Sequence, residues 1–218
     1  MRVYHFLNPN YGISNLSLKR LKISRFNQLN DPFELLGADL LNPNHRKEFK
    51  EFKKHLSESK GMICFSKSWS NPLIWGHYAD CHRGMSLGFD IPDELLVQVK
   101  YTPQRPRMEF DKKTNKLIDR VDVENKLIRT KFIDWHYEEE YRYLTDLNSI
   151  SDHLGNYFVD FSSEIKLRKV VLGMNCDIPI SRVRRLLEND LNPSWVIKAG
   201  MAHRSFKIIE DRSFRLSK

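Results

Sequence analysis

Residues 61–91 read Gly61-Met62-Ile63-Cys64-Phe65-Ser66-Lys67-Ser68-Trp69-Ser70-Asn71-Pro72-Leu73-Ile74-Trp75-Gly76-His77-Tyr78-Ala79-Asp80-Cys81-His82-Arg83-Gly84-Met85-Ser86-Leu87-Gly88-Phe89-Asp90-Ile91. Met62–Phe65 is apolar and β-prone, and a polar turn follows it. Asn71 can cap a helix and Pro72 fits its first turn. The stretch therefore predicts strand, turn, helix over 73–82, a stop at Gly84, and a second strand over 85–89. Two Trp, one Tyr, two His and several Ser crowd this one turn, as in the wall of a pocket. An amphipathic helix with an aromatic core face, Trp75 included, gives the same pattern.

Working outward, Arg2–Leu7 predicts an opening strand that carries His5. Asn8–Gly12 reads as a turn. In 14–23 the apolar Leu16, Leu18, Leu21 and Ile23 leave helix and strand open. Asn30-Asp31-Pro32-Phe33-Glu34 has the form of a turn, with two carboxylates three apart. It reads equally as a helix start capped by Asp31. Residues 43–60 form a charged helix with a Phe49, Phe52, Leu56 stripe. Residues 104–120 read as an exposed loop and 121–134 as a helix. In Glu138-Glu139-Glu140-Tyr141-Arg142-Tyr143-Leu144 a strand period puts Glu138, Glu140 and Arg142 on one face. Strands follow near 156–161 and 167–173, a helix over 179–190 with Val183, Leu186 and Leu187 inward, and strands at 195–199 and 205–210. With no repeat and no linker, the expectation is one α+β domain over residues 1–218.

The 218 residues carry 36 Lys+Arg against 28 Asp+Glu, a net charge of +8. Six of these eight excess charges lie between Glu164 and Lys218. A basic surface attracts polyanions. The three Cys are odd in number and far apart, which suits a reducing cytoplasm. No apolar run reaches the roughly 20 residues that span a bilayer, and the N-terminus does not read as a signal peptide. His77, Cys81 and His82 lack a partner pair at zinc spacing, so no metal ligand is assigned. A phosphate-binding loop and a dinucleotide fingerprint are both absent from the sequence.

What remains is an early strand with His5, an aromatic and Ser-lined strand–turn–helix, and a late strand led by glutamates. That set suits cleavage of the N-glycosidic bond of NAD, which passes through a cationic sugar. A carboxylate stabilises the cation and aromatic faces hold the nicotinamide.

Three segments resemble those of an uncharacterised bacterial family, a domain of unknown function. They are Leu29-Asn30-Asp31-Pro32-Phe33-Glu34, Trp75-x-x-Tyr78-Ala79-x-x-His82-x-Gly84 and Glu138-x-Glu140-Tyr141-Arg142; Leu29 stands where an aromatic is expected. More distantly the layout resembles the ADP-ribosyltransferase superfamily, which implies a split β-sandwich around an NAD cleft. That resemblance implies His5, Phe65, Ser66, Ser68, Trp75 or Tyr78, and Arg142 at the NAD site. It implies Glu140 as the stabiliser of the ribosyl cation and Glu138 as the activator of the acceptor, within a run of three glutamates. The start, Val3-Tyr4-His5-Phe6, is similar to that of toxins that modify nucleic acid, though Phe6 replaces a small or hydroxyl residue.

The expectation is an NAD-using, cytoplasmic toxin or anti-phage effector that modifies nucleic acid or protein. RNA or DNA would be recruited through the basic last quarter, and an antitoxin protein is an implied partner. In this reading Glu140→Gln abolishes activity with little loss of stability. Two other classes fit the same residues. One is a non-catalytic nucleic-acid or protein binding module. The other is a metal-dependent nuclease built on Asp31, Glu34 and Glu140.

Overall fold

The computed structural model describes residues 1–31, 33, 40–150, 152–190, 192 and 195–214. Strand β1 (Arg2–Leu7) runs into helix α1 (Pro9–Leu18). Asn8 starts this helix rather than a turn: its side chain accepts the Tyr11 N–H and Pro9 takes the first position. Lys19, at φ 50°, ends it in a left-handed residue, and strand β2 (Arg20–Arg25) follows at once. The ambiguous segment 14–23 is thus half helix and half strand. Asp31 Oδ1 accepts the Phe33 N–H, while Glu34 lies outside the described residues.

Helix α2 (Pro43–Ser59) buries Phe49, Phe52 and Leu56 as its stripe predicts. Strand β3 (Lys60–Ser66), helix α3 (Pro72–Tyr78) and strand β4 (Met85–Asp90) follow. α3 is shorter than predicted. Asp80, Cys81 and His82 all have positive φ, so the chain turns back four residues early. The His82 N–H bonds to the Trp75 carbonyl and the Gly84 N–H to the Ala79 carbonyl. Short strands β5 (Leu96–Gln98) and β6 (Lys100–Thr102) precede helix α4 (Arg120–Arg129). The helix expected to reach residue 134 stops at Arg129. Residues Thr130–Phe132 become strand β7, and Ile133–Glu138 a 3₁₀ turn. Strand β8 (Glu140–Asp146), β9 (Tyr157–Asp160), β10 (Lys166–Leu172), helix α5 (Ile180–Leu186), β11 (Val196–Met201) and β12 (Ile208–Glu210) complete the chain. In α5, Val183 and the flanking Leu187 are buried, but Leu186 is exposed.

The architecture is mixed α+β. The main sheet runs β12-β11-β10-β4-β1-β3-β2-β9 and does not close. It is antiparallel except where β10 meets β11. β8 pairs with the whole of one edge of β3, from Lys60 opposite Asp146 to Ser66 opposite Glu140. β5 lies outside β8, and β6 and β7 form a separate parallel pair.

β1 and β2 share the other edge of β3. β2 takes its start, with Ser24 opposite Met62; β1 takes its end, with Tyr4 opposite Ser66. Among the described residues no strand lies beside Ile63, Cys64 and Phe65 on that edge, between these contacts. The sheet divides there, and the division opens a cavity. Val3, Ile23, Phe65 and Leu87 pack in one core. On the opposite side of β3, Met62 packs with Phe49 and Phe52 of α2 and Leu127 of α4. Burying each such large side chain contributes about 1.5–3 kcal/mol. The divided sheet is therefore held from both faces. Among the described residues no helix is long and apolar enough to cross a membrane.

Candidate functional site

The cavity in the divided sheet has a volume of about 190 Å3. His5 comes from β1, Phe65 and Ser66 from β3, Ile74 and Tyr78 from α3, and Lys131 from β7. Glu138 and Glu140 close the far side, and Asp31 lies on the rim.

Three charged side chains of the wall, Lys131, Glu138 and Glu140, are joined from behind by Arg142. The Lys131 ammonium donates to Glu138 Oε2 at 2.6 Å and to Glu140 Oε2 at 2.9 Å. Arg142 Nε donates to Glu140 Oε1 at 2.8 Å, and its Nη2 reaches the other oxygen at 3.3 Å. The Tyr78 hydroxyl donates to Glu138 Oε1 at 2.5 Å. Arg142 also donates to the Ile128 carbonyl at 2.7 Å and is fully buried. Ionised groups leave water only at a cost of several kcal/mol each unless fully paired. Here two anions face two cations and the cluster is neutral as a whole. Buried charged groups on a cavity wall make it the candidate site, although ion-pair networks that only hold a fold together look alike in this respect.

Local structure explains the convergence. Glu138 ends the 3₁₀ turn, Glu139 is left-handed at φ 46°, and Glu140 opens β8. Glu138 and Glu140 therefore meet at Lys131 through a kink rather than along a straight strand. Glu140 and Arg142 do share a strand face. The turn is pinned from across the cavity. Ser66 Oγ donates to the Glu138 carbonyl at 2.6 Å, the Lys67 N–H to the Glu139 carbonyl at 3.1 Å, and the Asn71 amide to the Tyr137 carbonyl at 3.1 Å. The Tyr101 hydroxyl accepts the Glu140 N–H at 2.7 Å.

The two carboxyls are shifted in opposite directions. Burial raises Glu138, and the neighbouring Lys131 only partly offsets it. Burial would also raise Glu140, but Arg142 and Lys131 outweigh it and hold that carboxyl at about 2. Desolvation pushes the Tyr78 phenol upward, helped by the Glu138 charge, so it remains a donor. Burial likewise keeps the Cys64 thiol protonated. His5 is lowered by burial more than the Cys64 carbonyl raises it, so its ring is neutral near pH 7. Its Nδ1 lies 2.9 Å from that carbonyl. A carbonyl only accepts, so Nδ1 carries the proton and Nε2 is left as an acceptor.

His5, Phe65, Ser66, Tyr78, Glu138 and Glu140 all line the cavity. Trp75, Ser68 and Arg142 are not among its lining residues. Trp75 is fully buried, edge-on to Phe6 and packed with Val171 and Ile197, and its indole N–H donates to the Trp69 carbonyl at 2.7 Å. Successive turns of α3 explain this, since Trp75 and Ala79 face the sheet while Ile74 and Tyr78 face the opening. Its ring faces therefore have no room for a ligand. The Ser68 hydroxyl accepts the Ser70 N–H, in the turn. Arg142 meets Glu140 from behind. Among the described residues nothing beyond Glu140 lines the cavity, so the basic last quarter contributes none of its wall. Arg168 pairs with Asp90, and Lys198 donates to the Cys176 carbonyl.

Lys131 and Tyr101 did not stand out in the sequence. The β-prone Thr130-Lys131-Phe132-Ile133 was the available signal, masked by the helical pattern over 121–134. Among the described residues no three His, Cys, Asp or Glu side chains group as metal ligands.

Comparison with curated proteins and with solved structures gives no match. A family model described as a protein of unknown function (DUF2971) matches residues 74–143, about one third of the chain. The matched span begins in α3 and ends in β8, and it includes Tyr78, Lys131, Glu138, Glu140 and Arg142.

Proposed function

We propose that the protein is an NAD-dependent ADP-ribosyltransferase-like enzyme, with the divided sheet as a split β-sandwich and the cavity as the NAD cleft. One observation carries this reading: His5, Phe65, Ser66, Tyr78 and the Glu138–Glu140 pair, distant in sequence, line one cavity. The neutral His5 ring accepts a ribose hydroxyl at Nε2. Tyr78 offers ring surface to the nicotinamide, with the nearly buried Phe65 backing the wall. Glu140, ionised through Arg142 and Lys131, stabilises the ribosyl cation. The bond from ribose C1′ to the nicotinamide nitrogen breaks and its electron pair leaves with neutral nicotinamide. The acceptor nucleophile bonds to C1′ and gives its proton to Glu138, whose raised carboxyl pKa suits a base. Arg142 acts through Glu140, and Trp75 has only a packing role. The setting is that of a cytoplasmic effector, a toxin or anti-phage protein, whose basic surplus draws a nucleic-acid acceptor.

Calorimetry with NAD tests the cleft, and nicotinamide release tests the chemistry. Saturable binding that disappears in His5→Ala is expected. Nicotinamide release should fall about a hundredfold or more in Glu138→Gln and Glu140→Gln. Full turnover in Glu140→Gln, or no binding at millimolar NAD, overturns the reading.

A further inference from the structure

A second cavity, of about 380 Å3, adjoins the first. Lys131 and Asp31 belong to the walls of both. The Lys131 ammonium also lies 5.2 Å from the centre of the Trp135 ring, a cation–π contact. Trp135 and Phe132 line the second cavity, and Phe132 is 48% exposed. Phe33 lines it too, with the Arg105 guanidinium 5.9 Å from its ring centre. Gln104 and Thr130 add a few polar edges to this largely apolar wall. Trp135 is half-buried, with His77 and Tyr137 also beside its ring, and still lines the cavity; core packing does not account for the exposed Phe132 beside it.

The geometry points to a second binding site in this cavity for a nucleobase carrying a 5′-phosphate. The base stacks on Phe132 and Trp135, and its edge groups meet Gln104 and Thr130. Its phosphate is met by Arg105, whose planar fork suits phosphate oxygens. A flat ring with polar edges and one anionic substituent matches this wall; an aliphatic ligand would use neither the rings nor the guanidinium. The site does not depend on what the first cavity binds. Where the first cavity holds NAD, a base beyond Lys131 sits next to the carboxylate pair, and the enzyme transfers to a nucleotide acceptor rather than to water.

The probes are the common nucleoside 5′-monophosphates and a short single-stranded oligonucleotide, titrated against intrinsic tryptophan emission. Saturable quenching is expected for at least one monophosphate, and Trp135→Phe should abolish most of the signal. Phe132→Ala and Arg105→Gln should each weaken binding about tenfold, as loss of one stacking partner does, while His5→Ala leaves it unchanged. Tighter binding of the oligonucleotide identifies a strand as the source, and equal affinity a free nucleotide. No saturable quenching at millimolar ligand, or binding lost in His5→Ala but intact in Phe132→Ala, overturns the second site. The second of these outcomes would leave the NAD reading of the first cavity standing, and failure of NAD binding would leave the second site standing. Phe132 and Arg105 are surface residues, so both variants keep the fold.

Discussion

One lysine ammonium holds two carboxylates together in this protein. Lys131 binds Glu138 and Glu140, and Arg142 binds Glu140 from the other side. Removing the Glu140 charge leaves a fully buried guanidinium without its anion, which typically costs about 3–5 kcal/mol. Glu140→Gln should therefore lower stability as well as activity, in contrast to the sequence-based expectation of lost activity with little loss of stability. Denaturant unfolding of the variant checks this. The pH dependence has a sign. Glu140 is held at about 2, below its ordinary 4.5, so its stabilisation is complete above that ordinary value and lost as pH falls toward about 2. Glu138 moves the other way, and its ionised form weakens the fold as pH rises past the ordinary carboxylate range. Acid unfolding followed by circular dichroism should be steeper between pH 4.5 and 2 in the wild type than in Glu140→Gln. Equal slopes would show that Glu140 is not held down by its cations.

The elements around the cavity meet through close backbone contacts. After α3, the left-handed turn Asp80–His82 brings Gly84 against β1, where a Cβ would overlap the Leu7 carbonyl oxygen. That neighbour is main chain and cannot swing away. Gly84→Ala should cost roughly 3 kcal/mol, read as a fall in the thermal midpoint; an unchanged midpoint would mean that β1 and the turn are loosely joined. The strand–helix–strand over 61–91 was legible because Asn71-Pro72 and the short apolar runs are local signals. The early end of α3 was not, since Asp80, Cys81 and His82 carry no residue preference for positive φ as strong as glycine's. Nor was the break at Thr130, where pairing with Lys100–Thr102 overrides a helical pattern. The site shows the same division. His5, Ser66, Tyr78 and the glutamates were readable as chemistry on predicted elements. Lys131 was not, because the strand at Thr130–Phe132 interrupts what reads as one helix over 121–134; for Trp75 the sequence offered both a core and a pocket position, and α3 turns it into the core.

At the scale of the molecule, the sheet is two blocks joined at Tyr4 opposite Ser66 and backed by a common core. A ligand that touches His5 on one block and the glutamates on the other ties them together. NAD at a hundred times its dissociation constant should add about 2.7 kcal/mol to the unfolding free energy. Differential scanning calorimetry reads this as one transition moving upward. A shift of the same size in His5→Ala would show that NAD binds elsewhere.

The ends of the strand order have a consequence for behaviour at high concentration. β12 offers only Ile208–Glu210 as an open edge, and β9 only Tyr157–Asp160. An unpaired edge is a template for another chain, and a short one is a poor template. At the β9 end, the Arg20 and Arg25 guanidiniums also lie over Phe158 and Tyr157, which places positive charge beside the exposed backbone. Two identical molecules approaching β9 to β9 would meet like charges before a ladder could form, so this edge is guarded against stacking.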